Sequence, residues 1–280
     1  MTVAAKTSGR VRVPGAGLYF EVRGAGPVLL LIHGSIADSA LYGPLAGLLA
    51  AHYTVVAYDR RGYVRSPLDG AAAGLVMAEQ SDDARLVLDE VGAESAFVLG
   101  SSAGAVIALD FLARYPGRVR GVVAHEPPVL ALLPDGARLW DFVEGLDAVG
   151  RERGVPAAAD ALLARMLPEP GQPEFEPGFD WDAQLPSRMA ANSEFWFTYE
   201  AKPGFAHRPD LAALTAQARL GKLVLGVGEE SAAWPAARSA ALLGPAVGAP
   251  VESFPGGHSG YLDRPRAFSE KLASTLSRWR

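Results

Sequence analysis

One serine of the sequence has the setting of a catalytic nucleophile, Ser102 in the segment Gly100-Ser101-Ser102-Ala103-Gly104. An apolar run at 96–99 precedes the segment and a helical pattern of apolar residues follows it, which predicts a tight strand-to-helix turn. Such a turn exposes its central hydroxyl at a helix N-terminus, where the helix dipole and the amide of Ala103 favour negative charge. An ordinary Gly-rich turn is the alternative, but this context favours a nucleophile.

A serine hydroxyl needs a base, and the sequence offers five histidines. His258 lies in Pro255-Gly-Gly-His-Ser-Gly260, a Gly-rich loop after the last predicted strand, which can bring an imidazole over the sheet. It also follows the nucleophile in the order nucleophile, acid, base. We predict His258 as the base, with a solvated loop histidine as the alternative; the others are His33, His52, His125 and His207.

A tetrahedral intermediate needs two backbone N–H donors for its oxyanion. Ala103 is expected to supply one, and the loop His33-Gly34-Ser35 after the third predicted strand is expected to supply the other from Gly34 or Ser35. Glycine at position 34 allows the backbone to approach the substrate closely. Whether the amide of Gly34, Ser35 or Ile36 points inward stays open at this point.

Apolar strand-like runs alternate with helical patterns along most of the chain. This alternation predicts right-handed crossovers and a mostly parallel sheet. It stops between about 128 and 207, a helical or irregular stretch that reads as a cap over the carboxyl edge, where open α/β sheets bind ligands. We therefore expect a core domain at 11–128 and 208–280, a cap at 129–207, and a disordered segment at 1–10. The strands are expected at 11–13, 18–22, 28–32, 54–58, 96–99, 119–124, 223–227 and 251–254.

The chain from Val11 onward resembles the α/β-hydrolase superfamily. The matching marks are the His33-Gly34 loop, the segment Asp59-Arg-Arg-Gly-Tyr-Val-Arg-Ser66, the turn at Ser102 and the His258 loop. The resemblance implies an α/β fold with a mostly parallel eight-stranded sheet, flanking helices and a helical cap after the sixth strand. Val64 replaces the second Gly of the structural Asp-x-Arg-Gly-x-Gly-x-Ser segment, which leaves the local loop shape open.

The third member of the triad departs from the common family pattern. Many members carry the acid after a late strand as Gly-x-x-Asp, but Gly228-Glu-Glu-Ser231 places a serine there. The strand end His125-Glu126-Pro127-Pro128 offers Glu126 instead, held by two prolines. A Ser-Ser-x-Gly turn combined with a His-Glu-x-Pro strand end is similar to the zearalenone-type lactone hydrolases. We predict Glu126 as the acid, with Glu230 and then Glu229 as alternatives. The non-catalytic alternative for Glu126 is an ion pair with a residue of the cap.

The amino-acid composition restricts the kinds of partner and cofactor that the protein is expected to bind. The 280 residues carry a net charge of -5 with no basic run, which argues against nucleic acid or an anionic membrane as a partner. The absence of cysteine excludes disulfides, thiolate catalysis and Cys-ligated metals. The histidines show no metal-ligand spacing, so we expect no metal and no cofactor. No signal-peptide pattern or long apolar run is present, and we expect a cytoplasmic protein.

The predicted cap is rich in aromatic residues. Some must form its own core, but Trp181, Trp196 and Phe197 are expected to contact substrate. These observations favour hydrolysis of a small apolar ester or lactone through an acyl-enzyme. The alternatives are hydrolysis of a carbon–carbon bond or an amide with the same triad, and a catalytically slow ligand-binding protein of the same fold. A homodimer is compatible with the sequence.

Overall fold

An eight-stranded sheet in the order β1-β2-β4-β3-β5-β6-β7-β8 organises the computed structural model, which describes residues 5–166 and 182–279. β1 and β2 form an antiparallel hairpin and β2 pairs antiparallel with β4, whereas every later pairing is parallel. The predicted α/β fold with a mostly parallel eight-stranded sheet is therefore confirmed. The strands are β1 Lys6–Val13, β2 Ala16–Arg23, β3 Val28–Ile32, β4 Thr54–Tyr58, β5 Ala96–Ser101, β6 Val119–His125, β7 Leu223–Gly228 and β8 Val251–Phe254.

Helices cover both faces of the sheet. Apolar residues of α2, α3, α8 and α9 pack on one face, and those of α1 and α11 pack on the other. The α-helices are α1 Gly43–Leu49, α2 Met77–Glu90, α3 Ala103–Arg114, α4 Gly136–Arg153, α5 Val155–Met166, α6 Leu185–Phe195, α7 Ala201–Ala206, α8 Leu211–Arg219, α9 Pro235–Val247, α10 Gly260–Asp263 and α11 Pro265–Ser277. Within the described residues, no helix is both long and apolar enough to cross a membrane.

The central strand β3 is apolar along its whole length, as expected for a strand with both faces buried. In β3, Leu30 and Ile32 belong to the cluster on one face, while Leu29 and Leu31 belong to the cluster on the other. Successive side chains of a strand point to opposite faces, so this run joins the two halves of the core. The strand ends are thereby fixed, and the site loops begin at those ends.

The N-terminal expectation needs a correction. β1 begins at Lys6 and pairs in register with β2 as far as Val13, although 6–10 fall in the segment expected to be disordered. Its first residues are polar and exposed because β1 is an edge strand. An edge strand needs no continuous apolar run, and so the hydrophobic pattern identified only 11–13.

We define the insertion as residues 129–207, between β6 and β7. Its described part contains α4 to α7, a π-helix at Trp196–Glu200, and an apolar core of its own. Two buried ion pairs join it to the sheet domain, Arg188 with Asp38 and Glu200 with Arg60. Residues 167–181, which include Trp181, lie outside the described part of the chain.

Candidate active site

The turn at Ser102 has the predicted strand-to-helix geometry. Ser102 lies between β5 and α3 with φ 55° and ψ −123°, a left-handed conformation that is strained for a residue with a side chain. Its N–H donates to the carbonyl of His125 at 2.9 Å, and its own carbonyl accepts from Ala105 at 2.9 Å. The turn also requires small neighbours, because a Cβ on Gly104 would lie 2.1 Å from the carbonyl oxygen of Ile32.

The residue after β6, Glu126, makes the hydrogen bonds expected of a triad acid. Its Oε2 lies 2.6 Å from Nδ1 of His258, while its Oε1 accepts from the Gly228 amide at 2.7 Å and from the Ser231 hydroxyl. Glu126 is fully buried, and its φ of 52° is again left-handed. Burial raises the pKa of this carboxyl, but the hydrogen bond from His258 and the neighbouring imidazoles outweigh it and lower the pKa to about 2.

The two alternative acids lie elsewhere. Glu230 is exposed, and its carboxylate faces Arg264 at 3.8 Å; Glu229 is also exposed. Ser231, at the last position of the Gly-x-x-Asp pattern from which the sequence departs, instead donates its hydroxyl to Glu126. The late-strand loop therefore supports the carboxylate at the end of β6.

His258 is largely buried in the loop after β8, and its bond to Glu126 uses Nδ1 and leaves Nε2 free for another partner. The ring of His125 lies 6.5 Å away, centroid to centroid, and packs against Phe254 and Phe268. Neither ring nitrogen of His125 has a hydrogen-bond partner among the described residues. Burial lowers the pKa of His125 to about 4, so this ring is uncharged at neutral pH.

The loop after β3 lies directly against Ser102. A Cβ on Gly34 would lie 3.0 Å from both the carbonyl oxygen of Ser101 and Cβ of Ser102, which is closer than ordinary contact, so glycine favours this approach. The carbonyl of Gly34 accepts two hydrogen bonds, from Nδ1 of His33 at 2.9 Å and from Nη2 of Arg60 at 3.1 Å. Because Nε2 of His33 accepts from the Arg60 amide at 3.0 Å, the proton of the ring sits on Nδ1. Burial and then the charge of Arg60 lower the pKa of His33 to about 3.

A buried charged network beside this loop was not predicted. Arg60 donates to Glu200 of the π-helix through both terminal nitrogens, at 3.0 and 2.8 Å, and Tyr63 donates to the same carboxylate at 3.0 Å. Arg60 and Glu200 are 1% and 4% exposed, so both charges are withdrawn from water. Burial alone would lower the pKa of Arg60, but the carboxylate of Glu200 raises it, and the guanidinium stays charged. The only signal in the sequence is the Arg-Arg pair after β4.

The segment at 59–66 has the structural role that the resemblance implies. Arg61 forms a partly buried ion pair with Asp83 of α2 at 2.7 Å, and Arg65 binds Asp59 at 2.7 Å. Val64, at the position of the second family Gly, is half-exposed and donates its amide to Asn192 of the insertion at 3.0 Å. Its backbone is not left-handed, so the loop accommodates a side chain there.

A cavity of about 650 Å³, measured with the solvent space at its mouth, opens between Ser102 and the insertion. Its wall is mostly apolar, and Arg60 and Glu200 are the only charged residues among the described ones that line it. The predicted contact Trp196 lines this cavity. Phe197 does not: it packs with the apolar core of the insertion and lies 3.8 Å from the Cβ position of Gly150. The remaining lining residues are Ser35, Leu75, Met77, Ala103, Val106, Ile107, Pro128, Leu163, Met166, Ala201, Gly204, Phe205 and Ala236.

A profile of the Alpha/beta hydrolase family matches residues 29–271. The chain belongs to this family and is an enzyme of the hydrolase class. It is similar to the uncharacterized hydrolase YraK of Bacillus subtilis, with 33% identity over 275 residues that cover 97% of this chain and 96% of that protein.

Two solved structures have the same fold. The enol-lactonase of Burkholderia xenovorans is 19% identical with a TM-score of 0.68, over 96% of this chain and 100% of that one. The thermophilic esterase of Thermogutta terrifontis is also 19% identical, with a TM-score of 0.70, over 97% of this chain and 99% of that one.

Proposed function

We propose that the protein is a serine hydrolase that cleaves a carboxylic ester or lactone of a small apolar substrate through an acyl-enzyme intermediate. The observation that carries this proposal is the hydrogen bond between Glu126 and His258. Glu126 directly follows His125, the last residue of β6, whose carbonyl accepts the amide of Ser102. A buried carboxylate bonded to Nδ1 fixes the imidazole tautomer that can accept a proton on Nε2. Ser102, His258 and Glu126 therefore act as nucleophile, base and acid.

In the acylation step, the hydroxyl oxygen of Ser102 attacks the carbonyl carbon while His258 takes the hydroxyl proton. The imidazolium that forms is stabilised by Glu126, which stays ionised because its pKa is about 2. His258 then gives the proton to the leaving alkoxide. A water molecule, deprotonated by His258, attacks the acyl-enzyme and releases the acid.

The oxyanion of each tetrahedral intermediate is assigned to two amides. One is that of Ala103, the first residue of α3, because the first amides of a helix have no partner within it. The other is that of Ser35. Its peptide bond is trans, and the carbonyl of Gly34 points toward Arg60 and His33, so the Ser35 N–H points the opposite way. Ser35 lines the cavity together with Ser102.

The cavity supports an apolar acyl or alcohol group as the recognised part of the substrate. Trp196 and Phe205 from the insertion face Val106 and Ile107 of α3 across it. The strand-end position of the acid, which we compared above with zearalenone-type lactone hydrolases, supports a lactone as the substrate. An ester is the other candidate, since the solved structures with this fold include both an enol-lactonase and an esterase. Trp181, which we also predicted as a contact, stays a prediction.

A fluorophosphonate probe tests the mechanism, since it modifies only an activated serine. We expect one adduct on the wild-type protein, none on Ser102→Ala, and normal labelling of Ser101→Ala, the matched change at the buried neighbouring serine. Peptide mass spectrometry locates the adduct. A folded wild-type protein that takes no label, or equal labelling of Ser102→Ala, would show that the proposal is wrong. A panel of p-nitrophenyl esters, small and macrocyclic lactones and anilides then identifies the bond that is cleaved.

A further inference from the structure

We propose that Arg60 is a positioning residue that orients the second oxyanion donor and couples this orientation to the docking of the insertion. The proposal rests on the serine hydrolysis proposed above. Arg60 does not contact the reacting atoms in this scheme. It acts through the peptide bond between Gly34 and Ser35.

The first step concerns the Gly34 carbonyl. Two donors hold it, Nη2 of Arg60 at 3.1 Å and Nδ1 of His33 at 2.9 Å. A peptide unit is planar, so rotation of this carbonyl rotates the N–H of Ser35 by the same angle. Without the Arg60 donor, the Gly34 carbonyl keeps only the hydrogen bond from Nδ1 of His33, the residue next to it in the chain. The orientation of the Ser35 amide then becomes less strictly defined.

The second step concerns the other side of the same guanidinium. Arg60 binds both carboxylate oxygens of Glu200, which lies in the π-helix of the insertion and lines the cavity beside Trp196 and Ala201. π-Helical turns within α-helices are frequent at functional positions. A substrate that fills the cavity contacts this wall, and the hydrogen bonds of Arg60 connect the wall to the Gly34 carbonyl. Correct closure of the insertion and correct aim of the oxyanion donor are therefore linked by one side chain.

The third step separates this role from simple docking. Arg188 of α6 also joins the insertion to the sheet domain, with Nε 2.5 Å from Asp38. It is also buried, at 9% exposed against 1% for Arg60, but no hydrogen bond joins it to the Gly34 carbonyl, whose donors among the described residues are Arg60 and His33. Asp38 keeps a second partner in Arg65 at 3.1 Å, so removal of Arg188 does not leave its charge unpaired. Arg188→Met is thus the matched control for loss of a docking contact.

The test compares Arg60→Met/Glu200→Met with Arg188→Met in the full chain. The double variant removes both buried charges together, since removal of one alone leaves an unpaired charge that destabilises the fold. We expect the second-order rate of fluorophosphonate labelling at Ser102, and kcat on a p-nitrophenyl ester, to fall by about 10- to 100-fold, less than for full loss of an oxyanion donor. KM should change far less than kcat. Arg188→Met should lower the denaturation midpoint while it keeps kcat near the wild-type value.

Arg60→Lys provides a second route if the double variant does not fold. Lysine keeps the charge for Glu200, but its single nitrogen cannot reproduce the fork that serves Glu200 and Gly34 together. We expect the same fall in labelling rate with a smaller loss of stability. Folded Arg60 variants that label and turn over at the wild-type rate would overturn the proposal, as would an equal loss in Arg188→Met. Absence of labelling in the wild-type protein would instead count against serine hydrolysis itself.

Discussion

Replacement of Glu126 by glutamine is the most direct probe of the triad, because glutamine keeps the volume and removes the charge. In the folded protein Oε2 of Glu126 lies 2.6 Å from Nδ1 of His258, while Oε1 accepts from Gly228 and Ser231. The amide oxygen of the introduced glutamine can keep the last two bonds, which directs its NH2 group at His258. That NH2 group is a donor, so Nδ1 must become an acceptor and the ring proton moves to Nε2. In this tautomer His258 cannot take the proton of Ser102.

The size of the effect follows from the environment of the carboxylate. The pKa of Glu126 falls from 4.5 to about 2, a difference equivalent to about 3 kcal/mol of stabilisation of the charged form in its fully buried position. His258 supplies part of this stabilisation, so removal of the charge takes away an attraction that its imidazolium needs in the reaction. The unfavourable tautomer adds to this loss. We therefore expect kcat to fall by about 10³- to 10⁴-fold, as when the acid of a serine protease triad is replaced by its amide.

The assay is kcat and kcat/KM on a p-nitrophenyl ester, with circular dichroism as a check on the fold. Glu230→Ala is the control, because Glu230 is exposed and is the main alternative acid. Our reasoning is refuted if Glu126→Gln keeps kcat within about tenfold of the wild type while Glu230→Ala loses it. Glu126 stays ionised above about pH 3, so a loss of rate on acidification between pH 7 and 5 must come from another group.

Three further perturbations test the surroundings of the triad. The pKa of His125 is about 4 in the folded protein and 6.5 in the unfolded chain, so the free energy of unfolding decreases as the pH drops from 6.5 to 4. In His125→Phe this decrease, measured by urea unfolding, should be smaller by about 3 kcal/mol, and an unchanged pH dependence would contradict the low pKa. Gly104→Ala should lower the free energy of unfolding by about 3 kcal/mol or more and abolish fluorophosphonate labelling, because the added Cβ would clash with backbone atoms. Gly117→Ala is the control: its Cβ has no atom within 4 Å, so neither stability nor labelling should change. Ser231 contacts Oε1 of Glu126, so an aspartate at position 231 should reach the site of the missing carboxylate. We expect kcat of Glu126→Ala/Ser231→Asp to be at least tenfold higher than that of Glu126→Ala, and equal values would show that an acid at position 231 cannot serve His258.

The fold was predictable wherever strands are buried on both faces. The runs at Val28–Ile32 and Thr54–Tyr58 were located to the residue, because a strand covered on both sides is mostly apolar. β1 was only partly found, since its exposed edge requires no such run. The short helix α1 was also missed.

The site was predictable where its chemistry is local. The turn at Ser102 and the strand end at Glu126 are each written within five residues, and the proposed triad follows from them and His258. The pair of Arg60 with Glu200 spans 140 residues and depends on how the insertion packs, which no local pattern records. The same limit explains Phe197, whose neighbour Trp196 lines the cavity while Phe197 faces the core of the insertion.

The backbone shows how this fold holds the site in place. Among the described residues, three that are not glycine have a left-handed conformation, Ile36, Ser102 and Glu126, and each lies in a loop that leaves the carboxyl end of a neighbouring strand. Each such conformation costs about 1–3 kcal/mol and persists only where its surroundings enforce it. The sheet supplies that enforcement, because the Ser102 amide bonds to the strand-end carbonyl of His125 and the Glu126 amide bonds to Gly226 of β7. The proposed nucleophile and acid are therefore held by β5, β6 and β7 before any substrate binds, so a change that shifts the register of these strands should reduce turnover before it unfolds the protein.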